Sequence, residues 1–355
     1  MRSLLAALAL AAMLGCAGTK AAVESSKDPG ATGAPAASGS VPPDTTPPAP
    51  PSSTLPPLPP PPPEPKAGRQ PVAVEMRNVD LHITDDITLE IGHLDGRFVG
   101  TSRSGIPYLD DPNTYEVVVD SAHIVMDMAS LNALLNEHVL GHGRSNVEDL
   151  KVTTDDKGRL VQKGEIDKGL DIPFKVKGAV EATSDGRIRV HAKSVRGFGL
   201  PVKPLMKLFS VEMDDMLKVE PGHGVWVDDN DLILDPQIML PPPHMRGKVT
   251  EVHVEGDTLV QTLGTGAPHA LRPAAVSPNH IYWRGGALKF GKLTMANTDL
   301  ELVDMDPSDP FDFSVGDWDA QLVAGYSKTL PNKGLTAYMP DYNDIRPSSR
   351  STVHR

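Results

Sequence analysis

The densest chemistry in the chain is the run Asp304-Met-Asp-Pro-Ser-Asp-Pro-Phe-Asp312, where Asp304, Asp306, Asp309 and Asp312 stand at spacings close to those of a calcium loop. Hard oxygen ligands gathered on a turn suit that ion, but the run lacks the glycine at the sixth place and the closing glutamate at the twelfth that an EF-hand uses. It reads as a solvated turn, with a structural calcium as the alternative. His138 and His142 stand four apart, a spacing at which two imidazoles can share a zinc. Gly141 interrupts the helix between them, and no third ligand is indicated. Asp228-Asp-Asn-Asp231 reads as a hairpin turn. There is no Gly-x-Ser-x-Gly elbow, phosphate loop or dinucleotide fingerprint. Paired carboxylates abound, but no cleft assigns them acid–base roles. The expectation is a protein that is not an enzyme and takes no cofactor or metal.

One residue does have an assignable chemistry. Arg2, the apolar run Leu4 to Leu14 and Met13-Leu-Gly-Cys16 resemble a bacterial lipoprotein signal, in which residues 1–15 are removed and the cysteine becomes the acylated first residue. The apolar run is too short to span a bilayer comfortably. Cys16 is the only cysteine in the chain, so no intramolecular disulfide can form, and attachment explains the thiol better than a redox role. An ordinary secretory signal with an incidental cysteine is the alternative. Ala17, where an inner-membrane lipoprotein of Gram-negative bacteria would carry Asp, implies outer-membrane delivery: a lipid-anchored envelope protein facing the periplasm.

From residue 16 to 71 apolar periodicity vanishes, and Val41 to Pro65 is dominated by proline. Such composition cannot bury enough apolar surface to offset ordering entropy, and is expected to stay unfolded. Extended polyproline at ~3.1 Å per residue would let the Pro-rich half hold a domain roughly 80 Å from its anchor. The alternative is a docking motif for a proline-reading partner. The net charge of −12 and pI of about 5.4 argue against nucleic acid and against adsorption on anionic lipid through a basic face.

The elements come after residue 72. Asp127 to Gly141 is the clearest amphipathic helix: Met128, Leu131, Leu134, Leu135 and Val139 form one apolar stripe, while Asn132, Asn136 and Glu137 face elsewhere. Asp127 is the expected N-cap and Gly141 the C-cap. Almost everything around it alternates with period two. Val74 to Thr84 slips phase at Asn78, as at a bulge. Four Gly-containing corners, Leu94–Phe98, Thr154–Leu160, Thr183–Ile188 and Val254–Leu259, predict antiparallel hairpins. The strands between, Asp149–Thr153, Leu160–Asp167, Ile172–Ala182, Arg187–Lys193 and Val249–Val254, are long enough to build a strongly coiled sheet. Gly199 to Ser210, with Pro204 in its first turn and an apolar stripe of Leu205, Leu208 and Phe209, predicts a second, short helix. Val225 to Pro243 reads as strand, turn, strand and an abrupt stop at three prolines. A β-rich annex, residues 277–339, places Leu288, Phe290, Leu293 and Met295 inward around Gly291 and is expected to extend the same sheet. Residues 340–355 are expected to form a disordered tail.

The order of these pieces from Tyr115 to Gly264 resembles the LmeA-like phospholipid-binding proteins, relatives of the tubular lipid-binding (TULIP) superfamily. The stretches that carry it are Leu131-Asn-Ala-Leu-Leu135, the hairpins turning at Lys157-Gly158 and Asp185-Gly186, Gly199-Leu-Pro201, Leu240-Pro-Pro-Pro243 and Val249–Val260. The resemblance implies an α+β, mainly antiparallel β fold, a strongly curved sheet wrapped around one or two amphipathic helices, with residues 72–264 as the lipid-binding domain. It carries over no catalytic or ligand residue. In that fold the groove candidates are Met128, Leu131, Leu134, Leu135, Val139, Phe198, Leu205, Leu208 and Phe209, and the partner is a lipid or other apolar ligand. Burying each methylene of a chain would contribute about 0.8 kcal/mol. The same residues could instead fill a packed core, in which case the chain is a structural envelope lipoprotein binding protein or cell-wall partners. An aromatic content of 5% leans toward an aliphatic interior.

Overall fold

The computed structural model describes residues 60, 70–141, 145–167, 171–197, 200–201, 222–228, 231–265, 271 and 277–346. The chain opens with three long strands joined as a meander: β1 (Val72–Thr84), β2 (Ile87–Gly100) and β3 (Tyr115–Asp127). Helix α1 (Met128–Ala133) follows directly and continues as π-helical turns over Leu134–Val139. Four strands then form a second meander: β4 (Val147–Thr154), β5 (Leu160–Asp167), β6 (Asp171–Ala182) and β7 (Ile188–Gly197). To these are added β8 (Leu200–Pro201) and the pair β9 (Val225–Asp228) and β10 (Asp231–Leu234). After a one-turn helix α2 (Pro236–Met239) come β11 (His244–Arg246), β12 (Val249–Glu255) and β13 (Thr258–Gly264).

The last third contributes β14 (His280–Gly285), the ribbon β15 (Leu288–Phe290) and β16 (Leu293–Met295), then β17 (Thr298–Asp304), β18 (Phe311–Ser314), α3 (Trp318–Ala324), β19 (Tyr326–Thr329), β20 (Leu335–Met339) and α4 (Tyr342–Ile345). The larger sheet runs β12-β13-β3-β2-β1-β14-β17-β20-β19, with β11 beside β3 and β18 beside β1. The smaller runs β4-β5-β6-β7-β10-β9, with β8 beside β7. The fold is α+β and mainly antiparallel, and the larger sheet is a strongly curved half-barrel.

Two devices bend that sheet. Along β3, the outer edge pairs first with β11 (Glu116 to Val118) and then with β13 (Ser121 to Asp127). Along β1, the outer edge pairs with β14 up to Arg77 and with β18 from Val79. The change of neighbour falls at Asn78, whose φ is +50°. A left-handed residue turns the strand locally and explains the phase slip, because Val74 and Met76 point inward before it and Val79, Leu81 and Ile83 after it. The register with β2 does not change at Asn78, so no extra residue is inserted there; it shifts only between His82 and Thr84. The extra residue at this level is Gly92 of β2, where the pairing with β3 shifts.

Three of the four expected corners are turns, with Gly158, Gly186 and Gly256 at positive φ. The fourth is not: Leu94 to Phe98 lies inside β2. Gly96 serves there to let β3 approach, since a Cβ would collide with the Val118 carbonyl beside the second β2–β3 register shift. One continuous core joins the larger sheet, the helix and the inner face of the smaller sheet, from Val79 and Leu89 through Leu131 and Leu134 to Leu160 and Ile188. In the ribbon, Leu288 and Phe290 are buried, but Leu293 is exposed, because the turn at Gly291 (φ +55°) sends its strand over the surface.

Candidate functional site

The site is built around α1. The Asp127 carboxylate accepts from the Ser130 amide at 2.7 Å, which fixes where the helix begins. Beyond Ala133 the turns widen, and the Leu140 amide reaches back five residues to the Leu135 carbonyl at 2.9 Å. The wider turn keeps Leu131, Leu135 and Val139 on one face despite the change of pitch. Met128, Leu131, Leu134, Leu135 and Val139 are all buried, as the stripe requires. Asn132 and Asn136 lie off the stripe, and their carboxamides bond to the backbone of Val152 and Leu150 on β4.

Three cavities in this core are linked by shared wall residues. The helix cavity, about 60 Å³, is walled by Leu131, Leu135 and Val139 on one side and by Leu160, Phe174 and Val180 of the smaller sheet on the other. A middle cavity of about 50 Å³ lies between the helix and the larger sheet, with Leu134, Ile124, Met126 and Leu263 among its walls. Leu131, Ile188, Leu234 and Leu259 belong to both, so side chains alone separate them. A far cavity of about 40 Å³, more aromatic, is bounded by Phe98, Tyr115, Trp283, Phe290 and Trp318. Met245 of β11 is the wall it shares with the middle cavity. Each is larger than the space one water needs. None reaches the roughly 300–1,000 Å³ of sites that enclose drug-sized ligands, so a long ligand requires the partitions to move. Leucine rotamers and an unbranched methionine are the side chains best able to do so.

No charged side chain lines the three cavities among the described residues; the polar ones are Gln162, Gln237 and Gln261 with the Tyr115 hydroxyl and the Trp283 indole. Burial raises the Tyr115 hydroxyl well above its usual range and keeps it neutral. The Trp283 Nε1 hydrogen has no acceptor among the described residues. Just behind the walls, Arg187 and Asp235 form a fully buried pair at 3.4 Å, the guanidinium also lying 4.9 Å from the Trp226 ring centre. Burial is the largest influence on the Asp235 carboxyl and raises its pKa, opposed by the Gln237 amide and by Arg187. Asp235 also caps α2. Its chain neighbour Leu234 and Arg187's neighbour Ile188 are thereby held as walls of both cavities.

Met128 lies in the core but is not among the described cavity walls. Phe198, Leu205, Leu208, Phe209, His142 and Cys16 lie outside the described residues, as does the expected second helix beyond Pro201. Asp304 is buried and accepts from Asn279 Nδ2 at 2.9 Å and from the Asp306 amide at 2.8 Å. Asp306 turns onto Ser308. Asp312 pairs with His82 at 2.9 Å and bonds Asn343. The carboxylates of Asp304, Asp306 and Asp312 thus spend their oxygens on turn and strand contacts. Among the described residues, no three His, Cys, Asp or Glu side chains converge as a metal site would require.

The sequence held signals for two features that periodicity alone passes over. Asp235-Pro236 is an N-cap followed by proline at the first helical position, which announces α2. Met245 sits two residues after the proline stop and looks incidental until β11 is seen to pair with β3. Comparison with protein-family models, curated proteins and solved structures finds no match for this chain.

Proposed function

We propose that this chain binds a lipid acyl chain non-covalently in the interior between α1 and the two sheets, and shields or carries it at the cell envelope without covalent chemistry. The observation that carries this reading is the succession of three apolar cavities that share walls, with no charge on any of them among the described residues. A core selected only for stability fills such space, because each void forfeits packing. Here the voids are consecutive and separated by flexible side chains. Met13-Leu-Gly-Cys16 and the proline-rich stretch support the companion proposal that acylated Cys16 anchors the protein, at the outer membrane facing the periplasm, with the intervening segment as a spacer. The resemblance to LmeA-like proteins is consistent with both and stays part of the proposal.

Native mass spectrometry of the Cys16→Ser protein tests it, since that substitution removes any covalently attached lipid. The expected result is an adduct of lipid mass that organic extraction releases and that added phospholipid restores. A bare protein mass with no uptake of phospholipid would contradict the reading and leave a structural lipoprotein with a packed core.

A further inference from the structure

Lys151, Lys163, Lys175 and Arg196 occupy one rung across four consecutive strands of the smaller sheet. Lys151 stands opposite Lys163, Lys163 opposite Lys175, and Lys175 opposite Arg196. Directly opposed residues share a face of a sheet. The inner face belongs to the alternate positions Leu150, Val152, Gln162 and Val176, which line the helix cavity, so the four cations project from the outer face. Like charges placed directly opposite one another destabilise the pairing, and this rung repeats that arrangement three times in a chain whose net charge is −12. Acids are at hand but not applied to it: Lys177, two residues further along β6, pairs with Asp155 at 3.0 Å. Among the described residues, none of the four rung cations has a hydrogen bond or ion pair through its side chain.

Lys163, Lys175 and Arg196 line an open basin of about 400 Å³, together with Asp149 and Glu165. Phe174 belongs both to this basin and to the wall of the helix cavity. Its partner across the strand pair is Gly164, where an added Cβ would stand 3.0 Å from the Phe174 ring. A single aromatic ring facing a glycine therefore separates a cationic surface from the apolar interior.

We propose that the rung is the headgroup site for an anionic amphiphile: Lys163, Lys175 and Arg196 hold a phosphate-type anion at the surface while its chain passes Phe174 into the helix cavity. This rests on the acyl-binding reading above. The uncharged cavity walls cannot take an ionised head, whose desolvation would go uncompensated, whereas the rung supplies charge and, through Arg196, a fork that matches two phosphate oxygens. The bound anion relieves the like-charge repulsion that the empty rung carries.

Isothermal titration of the full chain with decyl phosphate, decanol and inorganic phosphate tests it. Decyl phosphate is expected to bind at least tenfold more tightly than decanol at low salt, with the advantage shrinking as salt rises, and inorganic phosphate far more weakly than either. The K163Q/K175Q/R196Q variant should lose the advantage, keep its decanol affinity, and unfold at an equal or higher temperature. Arg196→Gln alone, the milder change, should remove a substantial part of the advantage. Equal affinities for decyl phosphate and decanol, or an advantage untouched in both variants, would overturn the headgroup site while leaving the acyl-binding reading intact. Inorganic phosphate binding as tightly as decyl phosphate would show a free-anion site and overturn the amphiphile. Failure of decanol and decyl phosphate alike would remove the acyl-binding reading and this inference with it.

Discussion

Asn132 closes its carboxamide around the backbone of Val152, accepting from the amide at 2.7 Å and donating to the carbonyl at 2.8 Å. Val152 is on β4, the edge of the smaller sheet, and Asn132 thereby acts as the missing neighbouring strand. Asn136 repeats the contact one helical turn on, donating to the Leu150 carbonyl at 2.9 Å. These two side chains hold the helix at a set distance from the sheet, and that distance defines the helix cavity.

Asn132→Leu is expected to destabilise the fold by roughly 2–3 kcal/mol, because it strands both backbone groups of the buried Val152. Asn132→Asp, which keeps the acceptor and loses the donor, should fall in between. Denaturant unfolding of the three proteins checks the order.

Leu259 is a wall of both the helix and the middle cavity. Leu259→Phe fills their junction at a cost of about 1–3 kcal/mol if the walls resist it. Lipid uptake should fall by an order of magnitude or more while the far-ultraviolet circular dichroism keeps its β signature. Unaltered uptake would mean that the chain lies elsewhere.

Met245 partitions the middle and far cavities. Met245→Ala is expected to cost about 2–5 kcal/mol and to join the two spaces, shifting preference toward longer acyl chains in a competition between lipids of graded length. A preference that stays fixed would show that ligands never reach this partition.

A pH dependence follows from the far end of β1. Burial is the main cause that raises Asp80 to about 6, with repulsion from Asp312 and Glu90 added and His82 opposing. Asp341 is raised to about 7, again chiefly by burial, although its carboxylate accepts from the Asp312 amide at 2.8 Å. Both start near 3.8 in the unfolded chain, so the folded state binds these protons more tightly. Their contribution to stability is fully present below about pH 4 and is lost as pH rises through 6 and 7. Asp341→Asn retains the acceptor and abolishes the titration. It should raise the unfolding midpoint by a few degrees above pH 7 and leave it unchanged near pH 4, as thermal melts across this range will show.

Much of this architecture is legible in the chain because hairpins announce themselves locally. Gly158, Gly186 and Gly256 fix three turns through positive φ, and from the first of them the register that sets Lys151 opposite Lys163 follows, whereas the pairing of Lys175 with Arg196 also depends on a register shift at Lys177 and Gly178 that no turn announces. Asp95-Gly96 has the same letters and is no turn, because what distinguishes it is the close approach of β3, a partner 20-odd residues away. The apolar stripe of α1 is plain, whereas the task of Asn132 depends on an unpaired strand edge that only the tertiary structure creates. Whether Leu131 and Leu135 touch neighbours or line a void is likewise a matter of distances between elements, on which residue type is silent.

The most direct test of an acyl chain in the interior is photocrosslinking with a phospholipid that carries a diazirine near the end of one acyl chain, mapped by peptide mass spectrometry. The predicted crosslinks fall on cavity walls, at Leu131 to Val139, Leu234 to Leu240 and Leu259 to Leu263. Crosslinks confined to exposed apolar side chains such as Val323 and Tyr326, with none on those walls, would contradict the account.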